Sequence, residues 1–303
     1  MRKKSKKRLK ILFFLILGTF CIFFVGWLLT HSSQRVVSMN KIAVISIKGT
    51  LSTENGGDFF KPGTLSSGSI IEFIEDAHKN TNVKAIILNI NSPGGSVVAS
   101  KEIADTIKKV DKPVVALIRE IGASGAYWIA SAADIIVADP LSLTGSIGVL
   151  GSYLEFSELF SKYGVEYQSI STGKFKDLGS PFKNLTMDEK KVLLGKLHII
   201  HDYFSEDVSK NRDKDLRMYA NGLFYLGTEA KEIGLIDVLG GKDTAIDIAL
   251  DLANITDYEL FFYQKKKSIF ELFSSLSHNF GYSIGQGFGE RLLAQNDFEI
   301  SLK

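Results

Sequence analysis

The segment Val83–Gly95, V-K-A-I-I-L-N-I-N-S-P-G-G, decides the fold class of this 303-residue chain. Its first part is mostly apolar and rich in β-branched residues, which predicts a strand buried on both faces. The Pro-Gly-Gly turn ends the strand, and the residues up to about Val110 predict a helix. A strand that passes through a tight turn into a helix is the repeating unit of an α/β protein.

The same alternation continues on both sides of this segment. Further strands are predicted at Ile42–Ile47, Val114–Ile118, Asp134–Ala138, Val165–Ile170 and Ile233–Val238. Helices are predicted from a Ser69 cap to Lys79, from Ser124 to Ala133, at Phe156–Tyr163, from the capping box Thr186–Glu189 to Asn211, and at Asp243–Asn254. This spacing predicts an α/β fold with a mostly parallel sheet, in which ligands bind at the carboxyl ends of the strands.

The N-terminus predicts a membrane anchor. Seven of the first ten residues are basic, and the twenty residues of Ile11–Thr30 carry no charge, which is long enough for a transmembrane helix. Because basic flanks are retained inside, we expect residues 1–10 in the cytoplasm and the body on the extracytoplasmic side of the cell membrane. A cleaved signal peptide is the alternative, but the apolar run is too long and residues 31–34 offer no small-x-small cleavage site.

The rest of the chain divides into three predicted parts. Residues 31–40 form a polar linker, residues 41–258 form one globular domain, and residues 259–303 form a tail of different character. In the tail, apolar residues at Ile269–Leu276 fall on one side of a predicted helix. Such a stripe is usually core, and the alternative is contact with a neighbouring subunit or with the membrane surface.

The charge and cysteine content exclude several classes of function. Seven of the 36 Lys and Arg residues lie in the first ten positions. The remainder of the chain therefore has 29 Lys and Arg residues and 34 Asp and Glu residues. This mildly acidic body gives no indication of nucleic-acid binding. The only cysteine, Cys21, lies in the apolar run, so the body has no disulfide, thiol nucleophile or thiolate metal ligand.

The segment Arg119–Trp128, R-E-I-G-A-S-G-A-Y-W, places Ser124 between a predicted strand and a predicted helix. A serine at such a corner exposes its hydroxyl beside the N–H groups of the helix start, as a nucleophile requires. The same position fits an ordinary N-cap serine. None of the histidines lies in a predicted strand-end loop, so a Ser-His-Asp triad is poorly supported. They are His31, His78, His198, His201 and His278.

A lysine can replace histidine as the base when burial and neighbouring groups lower its pKa. Lys176 follows a predicted strand, and Phe175 and Leu178 would shield it from water. Lys174 competes with Lys176, and spacing alone does not separate them.

Three further residues are candidates for supporting roles. Gly94 and Gly95 offer backbone N–H groups to a developing oxyanion, or they form a plain turn. Ser146, in the segment T-G-S-I-G-V, either holds a neutral lysine by a hydrogen bond or is a structural turn residue.

Taken in order, these motifs resemble the signal peptide peptidase A family of membrane-anchored serine peptidases with a Ser-Lys dyad. The motifs are Pro93–Gly95, Ala123–Tyr127, Leu143–Val149 and Gly173–Pro181, followed by A-N-G-x-x-Y-x-G-x-x-A at 220–230 and G-L-I-D at 234–237. The resemblance covers about residues 41–255. The chain length and single N-terminal anchor resemble the short, single-repeat form of the family.

The resemblance assigns roles residue by residue. The family's site residues correspond to Ser124 as nucleophile, Lys176 as general base, Gly94 and Gly95 as the oxyanion hole, and Ser146 as the lysine-orienting hydroxyl. The context K-D-x-x-S-P at 176–181 selects Lys176 over Lys174. The family's nucleophile motif often reads S-G-G-Y-Y, whereas this chain has S-G-A-Y-W, so Ala126 and Trp128 alter the lining beside the nucleophile.

The resemblance also implies a fold of crotonase and Clp-protease type, built from stacked ββα units. It implies a ring-like homo-oligomer at the membrane, with remnant signal peptides and other short apolar or unfolded peptides as substrates, and neither a metal nor a cofactor. The alternatives are a crotonase-like acyl-CoA enzyme, which shares the Pro-Gly-Gly turn, and an inactive anchored scaffold.

Overall fold

The protein is described from a computed structural model, which covers residues 16–20, 22–24, 27, 40–54 and 66–263. Within these ranges the strands are β1 Lys41–Lys48, β2 Val83–Ser92, β3 Val114–Ala123, β4 Ile135–Ala138, β5 Leu143–Gly145, β6 Phe224–Leu226, β7 Val238–Leu239 and β8 Glu259–Tyr263. The α-helices are α1 Ser67–Lys79, α2 Val97–Ile107, α3 Gly125–Ser131, α4 Ser157–Lys162, α5 Met187–Asn211, α6 Gly227–Ile233 and α7 Lys242–Ala253. The predicted α/β class is confirmed.

The strands form one mixed sheet that divides along β3. Strands β8, β1, β2 and β3 run parallel in that order. The first half of β3 pairs with β4, and its last residues pair with β5 instead. Strand β6 closes the far edge of β5 in the antiparallel direction. The division of the sheet therefore lies beside the carboxyl end of β3, where Ser124 follows.

Both faces of the sheet are covered, as the apolar strand patterns predict. Ala43, Ile45 and Ile47 of β1 point into a core shared with α1, α2 and α3. Ile42 and Val44 point to the other face, where α7 packs. The alternation of these side chains fixes the register of β1, because a slip by one residue would exchange the two faces.

Residues 150–199, which we call the arm, present many apolar side chains to solvent. Those with at least half of their surface exposed are Leu150, Leu154, Tyr163, Val165, Ile170, Met187 and Ile199. The arm is stabilised by its own contacts. The Phe182 ring stacks on Phe160 at 5.4 Å between centroids, and the Phe156 N–H donates to the Pro181 carbonyl at 2.7 Å.

Some predicted elements are wrong in detail. The cap of α1 is Ser66, whose hydroxyl accepts from the Ser69 N–H. Residues Val165–Ile170 form no strand, because they lie exposed in the arm and pair with no strand of the sheet. Ile233 ends α6, and of the predicted strand at 233–238 only Val238 lies in a strand, β7.

The ends of the domain differ from the prediction in one respect. Strand β8, Glu259–Tyr263, pairs with β1, so the sheet extends past the predicted boundary at residue 258. The remaining tail, 264–303, lies outside the described residues, as do residues 1–15 and most of 31–40. Residues 16–20 and 22–24 are helical, and no helix among the described residues is long and apolar enough to cross a membrane. Much of the predicted span Ile11–Thr30 is outside the described ranges.

Candidate active site

Ser124 lies at a sharp corner between β3 and α3. Its φ of 53° and ψ of −124° are unusual for a residue with a side chain, and such strain is concentrated at functional sites. Its N–H donates to the Gly145 carbonyl at 2.8 Å, and its carbonyl accepts from the Trp128 N–H at 3.0 Å. The hydroxyl makes no capping bond to α3. The backbone of Ser124 is therefore held, while its hydroxyl has no partner among the described residues, which fits a nucleophile better than a cap.

The Pro-Gly-Gly turn packs directly against this corner. A Cβ at Gly94, where φ is 97°, would lie 2.6 Å from the Gly125 nitrogen and 2.9 Å from the Ala123 oxygen. A Cβ at Gly95 would collide with the backbone of Leu51. Side chains are thus excluded from both positions, and the turn can approach Ser124 closely.

The two glycines differ in hydrogen bonding. The Gly94 N–H donates to the Ser92 hydroxyl at 3.1 Å, so it is not free for an oxyanion as predicted. The Gly95 N–H has no partner among the described residues. Gly94 therefore serves the site only by having no side chain, whereas Gly95 also offers a backbone N–H group that can donate to an oxyanion.

Gly125 is a candidate that the sequence reasoning missed. It is the first residue of α3, and the N–H at that position of a helix has no intrahelical acceptor. A Cβ at Gly125 would lie 3.4 Å from the Gly95 nitrogen, so these two backbone segments are neighbours. The free N–H groups of a helix start were the available signal, since Gly125 directly follows Ser124.

Ser146 lies next to the residue that anchors Ser124. Its φ is 49°, its N–H donates to the Leu223 carbonyl at 2.8 Å, and its hydroxyl donates to the Gly222 carbonyl at 3.3 Å. The structure thus places Ser146 near Ser124, with its hydroxyl bonded to Gly222 and not to a lysine.

The structure does not bring Lys176 to Ser124 within one chain. Lys176 is exposed in an irregular turn, and it is not among the residues that line the cavity beside Ser124. The predicted shielding is absent from the single chain, because Phe175 is itself 40% exposed. Lys174 forms an ion pair with Asp188 at 2.6 Å, whereas the Lys176 amine has no partner among the described residues. Of the two candidate bases, Lys176 is the one left available.

The segment that carries Lys176 is tied to the start of α5. Lys183 bridges Asp177, at 2.9 Å, and Glu189, at 2.6 Å. Glu189 also accepts from the Thr186 N–H at 2.8 Å in the predicted capping box. The Lys183 ammonium, followed by the Thr186 N–H and hydroxyl, lowers the pKa of Glu189 to about 2. Lys183 likewise lowers the pKa of Asp177, the neighbour of Lys176.

A cavity of about 160 Å³ opens beside Ser124. It is lined mainly by apolar side chains and glycines from α2, α3, α5 and the segment after β5: Gly95, Val97, Ser100, Gly125, Trp128, Gly148, Val149, Leu150, Ile200 and Phe204. Such a cavity next to a nucleophile can hold an apolar side chain of a substrate.

A larger cavity, of about 470 Å³, lies between the middle of β3, the end of β4 and the start of α7. Its hydroxyl-bearing residue, Ser142, is buried and bonded to the Arg119 carbonyl. Since that hydroxyl is already occupied, the cavity beside Ser124 is the better candidate active site. No group of three or more His, Cys, Asp or Glu side chains in the described ranges could hold a metal ion.

Comparison with known proteins identifies the family of the chain. The family model for peptidase family S49 matches residues 106–256, and the Clp protease model matches residues 66–137. The putative protease MJ0651 of Methanocaldococcus jannaschii is 35% identical over 229 residues, which cover 73% of this chain and 72% of that protein. A putative signal peptide peptidase SppA of Enterococcus faecium is 31% identical, covering 76% of this chain and 69% of that protein.

The chain belongs to peptidase family S49 and is a serine-type peptidase, as the predicted resemblance implied. A solved structure, the 1510-N membrane-bound stomatin-specific protease, superposes with a TM-score of 0.50 at 16% identity. The superposition covers 75% of this chain and 99% of the solved chain. Together with the match to the Clp protease model, it supports a Clp-protease-like fold. These findings favour a peptidase over the acyl-CoA enzyme.

Proposed function

We propose that this protein is a membrane-anchored endopeptidase in which Ser124 is the nucleophile and Lys176 is the general base. One observation carries the proposal. The Ser124 hydroxyl lies on a strained corner without a hydrogen-bond partner among the described residues, beside the N–H groups of Gly95 and Gly125 and at the mouth of a cavity lined mainly by apolar side chains and glycines. That arrangement combines a nucleophile, oxyanion donors and a side-chain pocket.

The reaction follows from these parts. The neutral Lys176 amine takes the hydroxyl proton as Ser124 Oγ attacks the carbonyl carbon of the scissile amide. The N–H groups of Gly95 and Gly125 donate to the oxyanion of the tetrahedral intermediate. Lys176 then gives the proton to the leaving amine, and the C–N bond breaks to leave an acyl-Ser124 ester. Lys176 next takes a proton from water as the water oxygen attacks the ester carbon, and it returns that proton to Ser124 Oγ as the C–O bond breaks and the second product leaves.

The exposure of Lys176 and its absence from the lining of the Ser124 cavity in a single chain point to assembly. We infer a ring-like homo-oligomer in which the arm of one copy packs on a neighbour and brings Lys176 to a Ser124 cavity. The number of strongly exposed apolar side chains in the arm supports this, because extensive exposed apolar surface commonly marks a protein interface. Packing would also shield the lysine amine from water and favour its neutral form. Ser146 would then donate to, or accept from, that amine.

The anchor and the substrate are part of the same proposal. The uncharged run Ile11–Thr30 behind a basic segment supports a single-pass anchor with a cytoplasmic N-terminus and an extracytoplasmic catalytic domain. The name of the Enterococcus faecium relative supports remnant signal peptides as substrates. The apolar lining of the cavity suits short apolar or unfolded peptides.

The test is peptide cleavage by the full-length chain in detergent. Ser124→Ala and Lys176→Met should each lose at least a hundredfold in kcat/KM, since a general base contributes about 10²–10⁴-fold. Lys174→Met, two residues away, is the matched control and should keep wild-type turnover. Mixing the two inactive variants before assembly should restore activity if the lysine comes from a neighbouring copy. Near-full turnover by Lys176→Met would overturn the assignment of the base.

A further inference from the structure

The three helices that wall the cavity beside Ser124 are joined by one carboxylate, Asp207 of α5. Asp207 accepts from the Trp128 indole Nε1–H of α3 at 2.8 Å. It also accepts from Lys108, the residue that caps the end of α2, at 3.0 and 3.1 Å. The Asp207 side chain is only 15% exposed, so these bonds are partly shielded from water and stronger for it.

Trp128 is held on two further sides. Its ring stacks on Phe204 with 4.5 Å between centroids and 17° between planes, and it contacts Tyr203 at 6.1 Å. Trp128 is 2% exposed and lines the cavity. An indole whose N–H is bonded and whose face is stacked has a single orientation, and release from Asp207 would leave a buried donor unpaired. Trp128 is therefore a fixed part of the cavity wall.

The size of the cavity limits what it can accept. Its volume is about 160 Å³. A cavity of about 150 Å³ lined by apolar side chains is known to hold a molecule of benzene size. A leucine or methionine side chain is close to benzene in size, whereas the bicyclic indole of tryptophan is larger and fits such a volume less well. The remaining lining, including Val97 and Ile200, offers apolar surface to that side chain.

We propose that Trp128, held in place by Asp207, sets the size of the side chain accepted on the acyl side of the scissile bond. Asp207 is the positioning residue and Trp128 the specificity-determining one. This inference rests on the proposed peptidase activity, because it concerns the pocket of the same site. It predicts a preference for leucine or methionine over tryptophan at that substrate position, and it assigns that preference to a residue in which this chain departs from the S-G-G-Y-Y motif.

The experiment measures kcat/KM of the full-length chain for peptides that differ only at the acyl-side residue, with leucine, phenylalanine or tryptophan. Wild type should favour leucine over tryptophan by more than about tenfold, the scale on which apolar pockets discriminate by size. Trp128→Phe, which keeps a ring against Phe204, should reduce that ratio about tenfold. Asp207→Leu should reduce it as well, while Asp207→Asn keeps an acceptor and should resemble wild type. Glu206→Leu, an exposed neighbour on the same helix, is the matched control.

Labelling of Ser124 by a fluorophosphonate separates the possible failures. A Trp128→Phe variant that labels like wild type but keeps the wild-type leucine-to-tryptophan ratio within twofold would overturn the inference and leave the peptidase intact. A wild-type ratio near one would overturn it too. If wild type neither labels at Ser124 nor cleaves any of the peptides, the proposed function fails and the inference falls with it. Should Trp128→Phe not fold, the comparison of Asp207→Leu with Asp207→Asn decides.

Discussion

Replacement of Gly94 by alanine tests whether the Pro-Gly-Gly turn positions the nucleophile. The added Cβ would lie 2.6 Å from the Gly125 nitrogen and 3.1 Å from the Ser124 Cβ. Non-bonded contacts of a Cβ essentially never fall below 3.0 Å, so the Pro-Gly-Gly turn and the Ser124–Gly125 backbone must separate by at least 0.4 Å. A misplacement of 1 Å costs about a hundredfold in rate, so we expect kcat/KM to fall by about ten- to a hundredfold.

The control is Gly164→Ala. Gly164 also has a positive φ, of 70°, but a Cβ there meets no atom within 4 Å. Both variants should lose about 1–2 kcal/mol of unfolding free energy from the left-handed conformation, and Gly94→Ala somewhat more from the clash. Only Gly94→Ala should lose activity, measured as peptide turnover and as the rate of fluorophosphonate labelling. If a folded Gly94→Ala protein retains activity within threefold of wild type, the turn does not position Ser124.

Three further predictions concern stability and assembly. Glu189→Gln should lower the free energy of unfolding at neutral pH. Because the pKa of Glu189 is lowered to about 2, the difference in unfolding free energy from wild type should shrink as pH falls from about 5 towards 2. A pH-independent difference in denaturant titrations would contradict this. Arg212→Met breaks the ion pair with Asp237, in which the arginine is only 8% exposed, and should lower the free energy of unfolding by about 3 kcal/mol. Arg217→Met breaks an exposed pair with Asp215 and should lower it by less than about 1 kcal/mol. Equal losses of unfolding free energy would refute this contrast. Ile170→Glu in the arm should dissociate the oligomer, as followed by light scattering, and abolish peptide turnover. Met218→Glu, at a residue that is 74% exposed outside the arm, should do neither.

Much of the fold could be predicted because its strands are buried on both faces. Strands β1 to β4 are short runs of β-branched residues, and such runs have few other stable arrangements. The Thr186–Glu189 capping box was equally local, since its two reciprocal bonds lie within four residues. By contrast, Val165–Ile170 has the composition of a strand but lies exposed in the arm and pairs with no strand of the sheet, and its local composition does not reveal that position.

Some features of the candidate site could likewise be predicted from the sequence, and others could not. Ser124, Gly94 and Gly95 are brought together by the ends of two adjacent parallel strands, so their proximity follows from the predicted topology. The different hydrogen bonding of Gly94 and Gly95 could not be predicted, because it depends on where the Ser92 hydroxyl points. The position of Lys176 depends on how the arm packs, and the apolar surface of the arm has no partner within the described part of a single chain.

The most direct test of the central claim is to map covalent labelling by a fluorophosphonate with mass spectrometry in the full-length protein. The account predicts that Ser124 carries the label, that Lys176→Met slows labelling by at least about a hundredfold, and that Lys174→Met does not. Labelling at another serine, or labelling of Lys176→Met at the wild-type rate, would contradict the Ser124–Lys176 pair.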